Sequence, residues 1–536
     1  MNIFVFGIDG ASPDLVNRWI GQGHLPNLEK ISRSGISGKL KSTFPPLTGP
    51  AWSSFQTGVN PGKHGVYNWL DTSSSYEGKV INSNSIRTKT VWSLISTYGG
   101  RVGLLSLPVT YPPEKVNGFI VPGFLTPENA SQRSHPKDLM RELEDSFPEF
   151  DHYVREYMGG SKKEWVGYLK RAAASRGKAS RYLVKRHLFS SGSESDNNLF
   201  MAHYFATDLV QHFLWDEVTE DWDPRLDVFK QVDEEIGNTM EIAPDNSVFL
   251  IVSDHGFGPI DRIFNVNNWL RKEGYLTLEK SAKTLMKQTL SRLGLNQHRL
   301  KPLGEKIYPI VKNLGLVSGS IINASSHPAL KAFFLSDRDI DWSATAAYSK
   351  SDIGHVRLNI AGRESQGALE GADVNRLTGE IKEKLKEVRI ADTDQKLAEW
   401  VKTKEELYCG PYLKDAPDIM FNSLKQNTLG FGAAMFLSDE LFNTPFKPGN
   451  HRRNGVLMAT GSGVGSGNVN AEIMDIAPTL LNLFSFPIPE QMDGEVIRAI
   501  SSSEPRYSRP EDFYRSREIR EVPEDSRKKL ENLGYL

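Results

Sequence analysis

NIFVFGID, residues 2 to 9, is a short apolar run that ends on a single carboxylate, Asp9. With no basic segment before it and no small-residue cleavage pattern after it, the run reads as a buried strand and not as a signal peptide. Downstream, PDLVNRWIGQG has helical character, and RVGLLSLP and GFIVPG are again short apolar strands. Strands alternating with helices in this way give a parallel sheet covered by helices, so the fold class is α/β. A further strand of the same kind, NSVFLIVSDHG, closes on Asp254 and His255. In open α/β sheets the ligand crevice lies at the carboxyl ends of the strands, and two of these strands place an aspartate there.

The pattern changes after residue 265. A long amphipathic, Lys-rich stretch (EKSAKTLMKQTLSRLGLNQHRLKPLGEKIYPIVKNLG) is followed by segments such as HVRLNIAG and DIMFNS, and core-like runs return with NGVLMATG and MDIAPTLLNLF. The expected organisation is therefore an α/β catalytic domain over residues 1–265 and 446–500, with an inserted cap over 266–445. A C-terminal surface arm, 501–536, would end in a short helix, RKKLENLGYL.

The chain has 536 residues, 39% of them hydrophobic and 24% charged, enough to bury a large core. A formal net charge of −2 supplies no general basic surface for nucleic acid or an anionic membrane, so any phosphate recognition has to be local. The one cysteine, Cys409, excludes an internal disulfide framework and thiolate-held zinc, and fits a reducing compartment. No stretch approaches the roughly 20 apolar residues that span a bilayer. The expectation is a cytoplasmic protein acting on a small molecule; the oligomeric state is open.

Chemistry-bearing residues cluster in a few places. HYFATDLVQHFLW sets Asp208 and His212 four apart, on one face if the segment is helical. His451 lies in PGNHRRNG, just before the returning strand. Oxygen and imidazole donors without thiolate suit zinc, with manganese second. Taken singly, each has an ordinary reading: a turn or cap aspartate, a helix-surface pair, a solvated histidine.

The set together resembles the type I phosphodiesterase/nucleotide pyrophosphatase family of the alkaline phosphatase superfamily. The resemblance runs through GIDGA, LTGPAWSSFQTGVNPGKHGV, TDLVQH, SDHGFGP, GNHRRNGVLMATG and DIAPTLLNLFSFPIPEQMDG. It implies a three-layer α/β/α sandwich with a mostly parallel central sheet, and two divalent metal ions about 4 Å apart. Asp9, Asp254, His255 and a nucleophile would hold one ion; Asp208, His212 and His451 would hold the other. The implied chemistry is cleavage of phosphodiester or pyrophosphate-type bonds through a covalent threonyl-phosphate, with phosphomonoester hydrolysis or phosphoryl transfer as the alternative.

Three threonines compete for the nucleophile. Thr43 stands in Thr43-Phe44-Pro45, letters that surround the nucleophile in many relatives, and Thr57 begins a Thr-Gly pair. The family's spacing instead selects Thr48, nine residues before Thr57 (57 − 48 = 9). Thr48 would sit in N-cap position with Pro50 in the first turn, where the helix dipole favours phosphate oxygens. The family's asparagine, which donates to a nonbridging phosphate oxygen, is matched here by Asn68, one place early. Arg363 of NIAGRE offers a planar fork for a substrate phosphate or carboxylate. A sulfatase would need Cys409 in a different setting, and a phosphoglycerate mutase would carry serine. A binding protein that had only kept the fold would have lost some of these positions, and all seven are filled.

Overall fold

The computed structural model describes the chain except residues 74, 124, 152, 158, 190–196, 297, 300–333, 352, 392, 433–435, 437, 516–525, 528 and 531–536. Part of the Lys-rich stretch and most of the expected C-terminal helix lie outside the described residues. Its described part includes a helix, Ala282–Arg292.

Asn2–Ile8 runs through the middle of a large sheet, parallel to Asn198–Tyr204 on one side and to Ser247–Val252 on the other. Arg101–Leu105 and Gly118–Val121 extend the parallel set. Beyond Ser247–Val252 the direction reverses: Asn454–Gly461 is antiparallel to it and to Ile36–Lys41. The fold is thus α/β with a mostly parallel central sheet, as the sequence implies.

The first strand shows why the sheet needs a layer on each face. Successive side chains of a strand point to opposite faces. Ile3 and Val5 join a core with Trp52, Phe55, Trp92 and Leu480, whereas Phe4, Phe6 and Ile8 join one with Trp19, Leu28, Phe229 and Ile236. Helices Thr48–Thr57 and Ile476–Leu483 therefore cover one face, and Pro13–Gly21, Pro26–Ser34, Lys162–Leu183 and Pro224–Met240 the other.

Within residues 266–445, Ala347–Tyr348, His355–Leu358, Ile419–Asn422 and Trp400–Thr403 form an antiparallel sheet of their own. Helix Ala372–Glu387 packs on it through Leu377, Ile381 and Leu385. A small sheet also joins Arg262–Asn265 to Thr428–Phe431 and Phe442–Asn443, so this strand is paired with residues of the expected cap.

Candidate active site

Strand register brings the two strand-end aspartates together. Gly7 pairs with Val252, so Asp9 and Asp254, each two residues farther on, leave adjacent parallel strands side by side. Gly7 itself must lack a side chain, because a Cβ there would lie 2.5 Å from the Trp52 ring. On the other neighbouring strand Gly7 is in register with His203. Helix Ala206–Leu214 starts directly after that strand and carries Asp208 and His212 on one face. His451 enters from Gly449–Arg452, an antiparallel ribbon partner of Gly256–Pro259.

All seven expected positions meet in one buried cluster. His255 Nε2 lies 3.2 Å from Asp254 Oδ2, 3.4 Å from Asp9 Oδ1 and 3.2 Å from Thr48 Oγ1. His212 Nε2 is 3.0 Å from His451 Nε2 and 3.6 Å from Asp208 Oδ1, and His451 Nε2 is 3.3 Å from the same Oδ1. Candidate ligand atoms of Asp9, Asp254 and His255 fall within 4.8 Å of one another, as do those of Asp208, His255 and His451. His255 therefore borders both halves of the cluster, with its ring stacked on that of His451 at 3.7 Å.

The histidine tautomers follow from their second nitrogens. His212 Nδ1 faces the Gly449 carbonyl at 3.0 Å, His451 Nδ1 the Pro46 carbonyl at 2.9 Å, and His255 Nδ1 the Gly256 carbonyl at 3.2 Å. A carbonyl only accepts, so each Nδ1 carries the proton and each Nε2 turns a lone pair inward. This is how metal-binding imidazoles are usually oriented. Two lone pairs 3.0 Å apart repel unless a cation lies between them.

The carboxylates agree. Asp9 Oδ1, Asp254 Oδ2 and both oxygens of Asp208 are buried and accept no hydrogen bond among the described residues. Burial first, then the charges of Asp254 and Asp208, raises the Asp9 pKa well above the usual range. Burial and Asp208 do the same to Asp254, and burial lifts Asp208 to about 6. Burial also pushes His212 and His255 far down and His451 to about 3, so the imidazoles are neutral. Lys447 offsets this burial only in part at Asp208, so three carboxyls this weakly compensated are costly to bury, and divalent cations supply the missing charge. The donor set, nitrogen and oxygen only, fits such ions.

The three threonines separate cleanly. Thr43 Oγ1 donates to the Pro45 carbonyl at 3.2 Å, and Thr57 Oγ1 donates back to Ser53 O at 2.7 Å within its helix. Of the three, only Thr48 directs its hydroxyl at the cluster. Its helix begins one residue earlier than expected: Leu47 holds the cap position without a side-chain cap bond, and Thr48 is the first helical residue. Its hydroxyl is thus not consumed by capping.

Two expected substrate contacts are occupied elsewhere. Asn68 Nδ2 donates to the Lys350 carbonyl at 3.2 Å, and its Oδ1 accepts from Trp69 N at 2.7 Å, so the side chain ties its loop to the cap. Arg363 spreads its guanidinium on Asp418 at 2.8 and 2.7 Å and on Glu364 at 2.8 Å. Both side chains are engaged by internal partners in this structure. His64 is likewise structural: Nδ1 accepts from Val66 N, and Nε2 meets Ser54 Oγ at 2.9 Å.

Sequence reading misses His203, whose Nε2 donates to Asp9 Oδ2 at 2.8 Å while its ring meets the Trp52 edge. Its only signal is a histidine inside a strand that is buried throughout.

A family model, type I phosphodiesterase / nucleotide pyrophosphatase, matches residues 3–428. The chain belongs to that family. It is a phosphoric ester hydrolase, and its class carries out metal-dependent phosphoryl transfer. No curated protein is close enough in sequence to match. Among solved structures, the wild-type alkaline phosphatase PafA is similar with a TM-score of 0.51 at 12% identity, over 93% of this chain and 98% of that one. Human ectonucleotide pyrophosphatase/phosphodiesterase 5 aligns with a TM-score of 0.47 at 13% identity, over 92% and 97% of the two chains. Phosphonoacetate hydrolase from Sinorhizobium meliloti 1021 gives 0.49 at 13%, over 88% and 93%. At 12% identity the likeness to PafA speaks for the fold alone.

Proposed function

We propose that this hydrolase cleaves phosphodiester or pyrophosphate-type bonds with Thr48 as nucleophile, aided by two divalent metal ions, zinc first and manganese second. The carrying observation is the Thr48 hydroxyl: buried, not used in capping, and 3.2 Å from His255 Nε2 beside carboxylate oxygens that lack donors.

Asp9, Asp254, His255 and Thr48 would hold one ion and Asp208, His212 and His451 the other. Bound there, the ions would lower the cost of the threonine alkoxide and offset charge on the phosphoryl oxygens. Thr48 Oγ1 attacks phosphorus, the bond from phosphorus to the departing ester oxygen breaks, and the hydroxyl proton ends, in net, on that departing alcohol. Water then adds to the phosphorus of the threonyl-phosphate and returns Thr48 as the alcohol. Thr48 opens helix Thr48–Thr57, so the positive end of its dipole would favour the phosphoryl oxygens of a substrate bound at this hydroxyl. The side chains of the cluster are almost fully buried, which limits bulk water around the phosphoryl group.

The test is hydrolysis of bis-(4-nitrophenyl) phosphate beside 4-nitrophenyl phosphate, with chelator and after zinc or manganese is returned. Thr48→Ala should lose on the order of 10³-fold or more in kcat, while Thr43→Ala stays within about tenfold. Full activity in Thr48→Ala, or indifference to chelation, would refute the mechanism. A preference for the monoester would make the enzyme a phosphatase with the same site.

A further inference from the structure

A cavity of about 490 Å³ adjoins the cluster and shares Phe257 and Pro46 with it. The Phe257 ring packs on His212 and His451, and the Pro46 carbonyl takes the His451 Nδ1 proton. The cavity is not lined by Thr48 or by any of the candidate metal ligands. Five cationic side chains line it, Arg18, Lys39, Lys425, Arg452 and Arg453, against one carboxylate, Asp14. In a protein of net charge −2 this is a local excess that the composition does not supply.

The positive charge is also poorly neutralised from outside. Arg452 donates to the carbonyls of Asn450, His451 and Pro259 and to Asn427 Oδ1, all uncharged. Arg453 reaches the Ser42 carbonyl. Neither forms an ion pair among the described residues, and the same holds for Arg18 and Lys39. The carboxylates nearest in effect are Asp261 for Arg452, and Glu472 and Glu399 for Arg453. Glu472 is paired with Lys41 at 2.5 Å, and Glu399 accepts from Asn422 at 2.9 Å and pairs loosely with Lys425 at 3.8 Å, so of the five cations Lys425 alone has a carboxylate partner among the described residues. Burial lowers the pKa of Arg452 to about 10 and also depresses Arg453. Charges that lose water and gain no counter-ion favour an incoming anion.

The cavity has apolar walls as well. Trp215 and Phe257 lie nearly parallel, ring centres 5.8 Å apart, and both line it. Its volume falls within the roughly 300–1,000 Å³ of small-molecule pockets, which combine apolar walls with a few placed polar groups. Arg452 has its terminal nitrogens engaged internally and adds charge alone, while the other guanidinium and ammonium groups lining the space, Arg18, Lys39, Lys425 and Arg453, suit the oxygens of a phosphate.

We propose that this cavity is a second binding site, for phosphate-bearing small molecules, separate from the position that the reacting phosphoryl group occupies at Thr48. The inference does not depend on which ester is hydrolysed or on the nucleophile.

Inorganic pyrophosphate is the probe, titrated calorimetrically into full-length protein kept in chelator, so that no metal at the cluster contributes. Saturable, salt-sensitive binding is expected, weakened about tenfold in Arg18→Gln/Lys39→Gln, whose side chains are exposed and carry no structural ion pair. Asp14→Asn should act the other way and tighten binding about twofold to threefold, since it removes the one opposing charge. Circular dichroism checks that each protein is folded. The same titration on zinc-loaded protein should lose one of two binding events in the double variant. Absence of saturable binding, or equal affinity in wild type and the double variant, overturns the proposal. Citrate binding in place of pyrophosphate would overturn the ligand class.

Discussion

In the cap, Asp418 accepts both arms of the Arg363 guanidinium, at 2.8 and 2.7 Å, and the Lys404 ammonium at 2.9 Å. At the sheet edge Asp208 is buried too, and neither of its oxygens accepts a hydrogen bond. The surroundings differ in the same sense. Glu364 beside Asp418 is matched by Arg363 and Arg357, whereas Asp9 and Asp254 beside Asp208 face neutral imidazoles, a hydroxyl and the Gly10 N–H, and the charge of Lys447 offsets the burial of Asp208 only in part. Their pKa values move in opposite directions. Burial raises Asp208, but for Asp418 the hydrogen bonds and charge of Arg363 outweigh burial and hold the carboxyl below its ordinary range. A buried charge cluster that neutralises itself is part of the architecture. One that does not is built for a cation from outside.

The sharpest break in this comparison comes from Asp418→Asn. It leaves Arg363 and Lys404 buried without their shared partner, and breaking a buried pair from one side costs about 3–5 kcal/mol. Denaturant unfolding of metal-loaded protein should show that loss. Because the folded pKa of Asp418 is depressed, its stabilisation is present above the ordinary value near 3.8 and disappears as pH falls toward the folded value. Wild type and variant should therefore begin to converge only below about pH 4 and meet at the folded value. Equal stability at pH 7 would show that the cap cluster is not an energetic unit.

The same substitution at the other cluster should have the opposite sign. In chelated protein, Asp208→Asn removes a carboxylate that burial disfavours. Its folded pKa, about 6 against an ordinary 3.8, means the wild type bears no penalty below about pH 4 and the full penalty above about pH 6. The variant should be more stable by at most about 3 kcal/mol at pH 7, and no more stable at pH 4. Zinc should reverse the ranking. A destabilised Asp208→Asn apoprotein at pH 7 would mean that another group already balances this charge.

The contrast between the clusters explains what could be read from the chain. Asp9 and Asp254 announce themselves because each ends a local apolar run, and Asp208 and His212 because a helix sets them one turn apart. These are short-range facts. The partners that hold Asn68 and Arg363 in this structure, Lys350 O and Asp418, have no local signal because they arrive from 282 and 55 residues away. Thr48 was placed one residue off, at the cap, because threonine is a common N-cap; the partner that draws its hydroxyl inward, His255, lies 207 residues ahead. The helices covering both faces follow from the strand alternation, but the reversal at Asn454–Gly461 has no signature in its own sequence.

His203 tests how far the uncompensated cluster extends into its supports. Its Nε2–H holds Asp9 Oδ2 at 2.8 Å, leaving Oδ1 directed at His255, and Trp52 fixes the ring from the side. Burial, followed by the charge of Arg176, keeps this imidazole neutral, so it orients Asp9 without cancelling its charge. Groups that orient a ligand typically change metal affinity 10–100-fold when lost. His203→Leu should weaken zinc binding by that factor in a competition titration with a chromogenic chelator, and His203→Gln, which keeps a donor, should recover part of it. A residue that only fills space would give the reverse: affinity retained in both variants, with a loss of thermal stability alone. The readout is zinc affinity and not turnover, so the result bears on how Asp9 is held whichever ester the enzyme prefers.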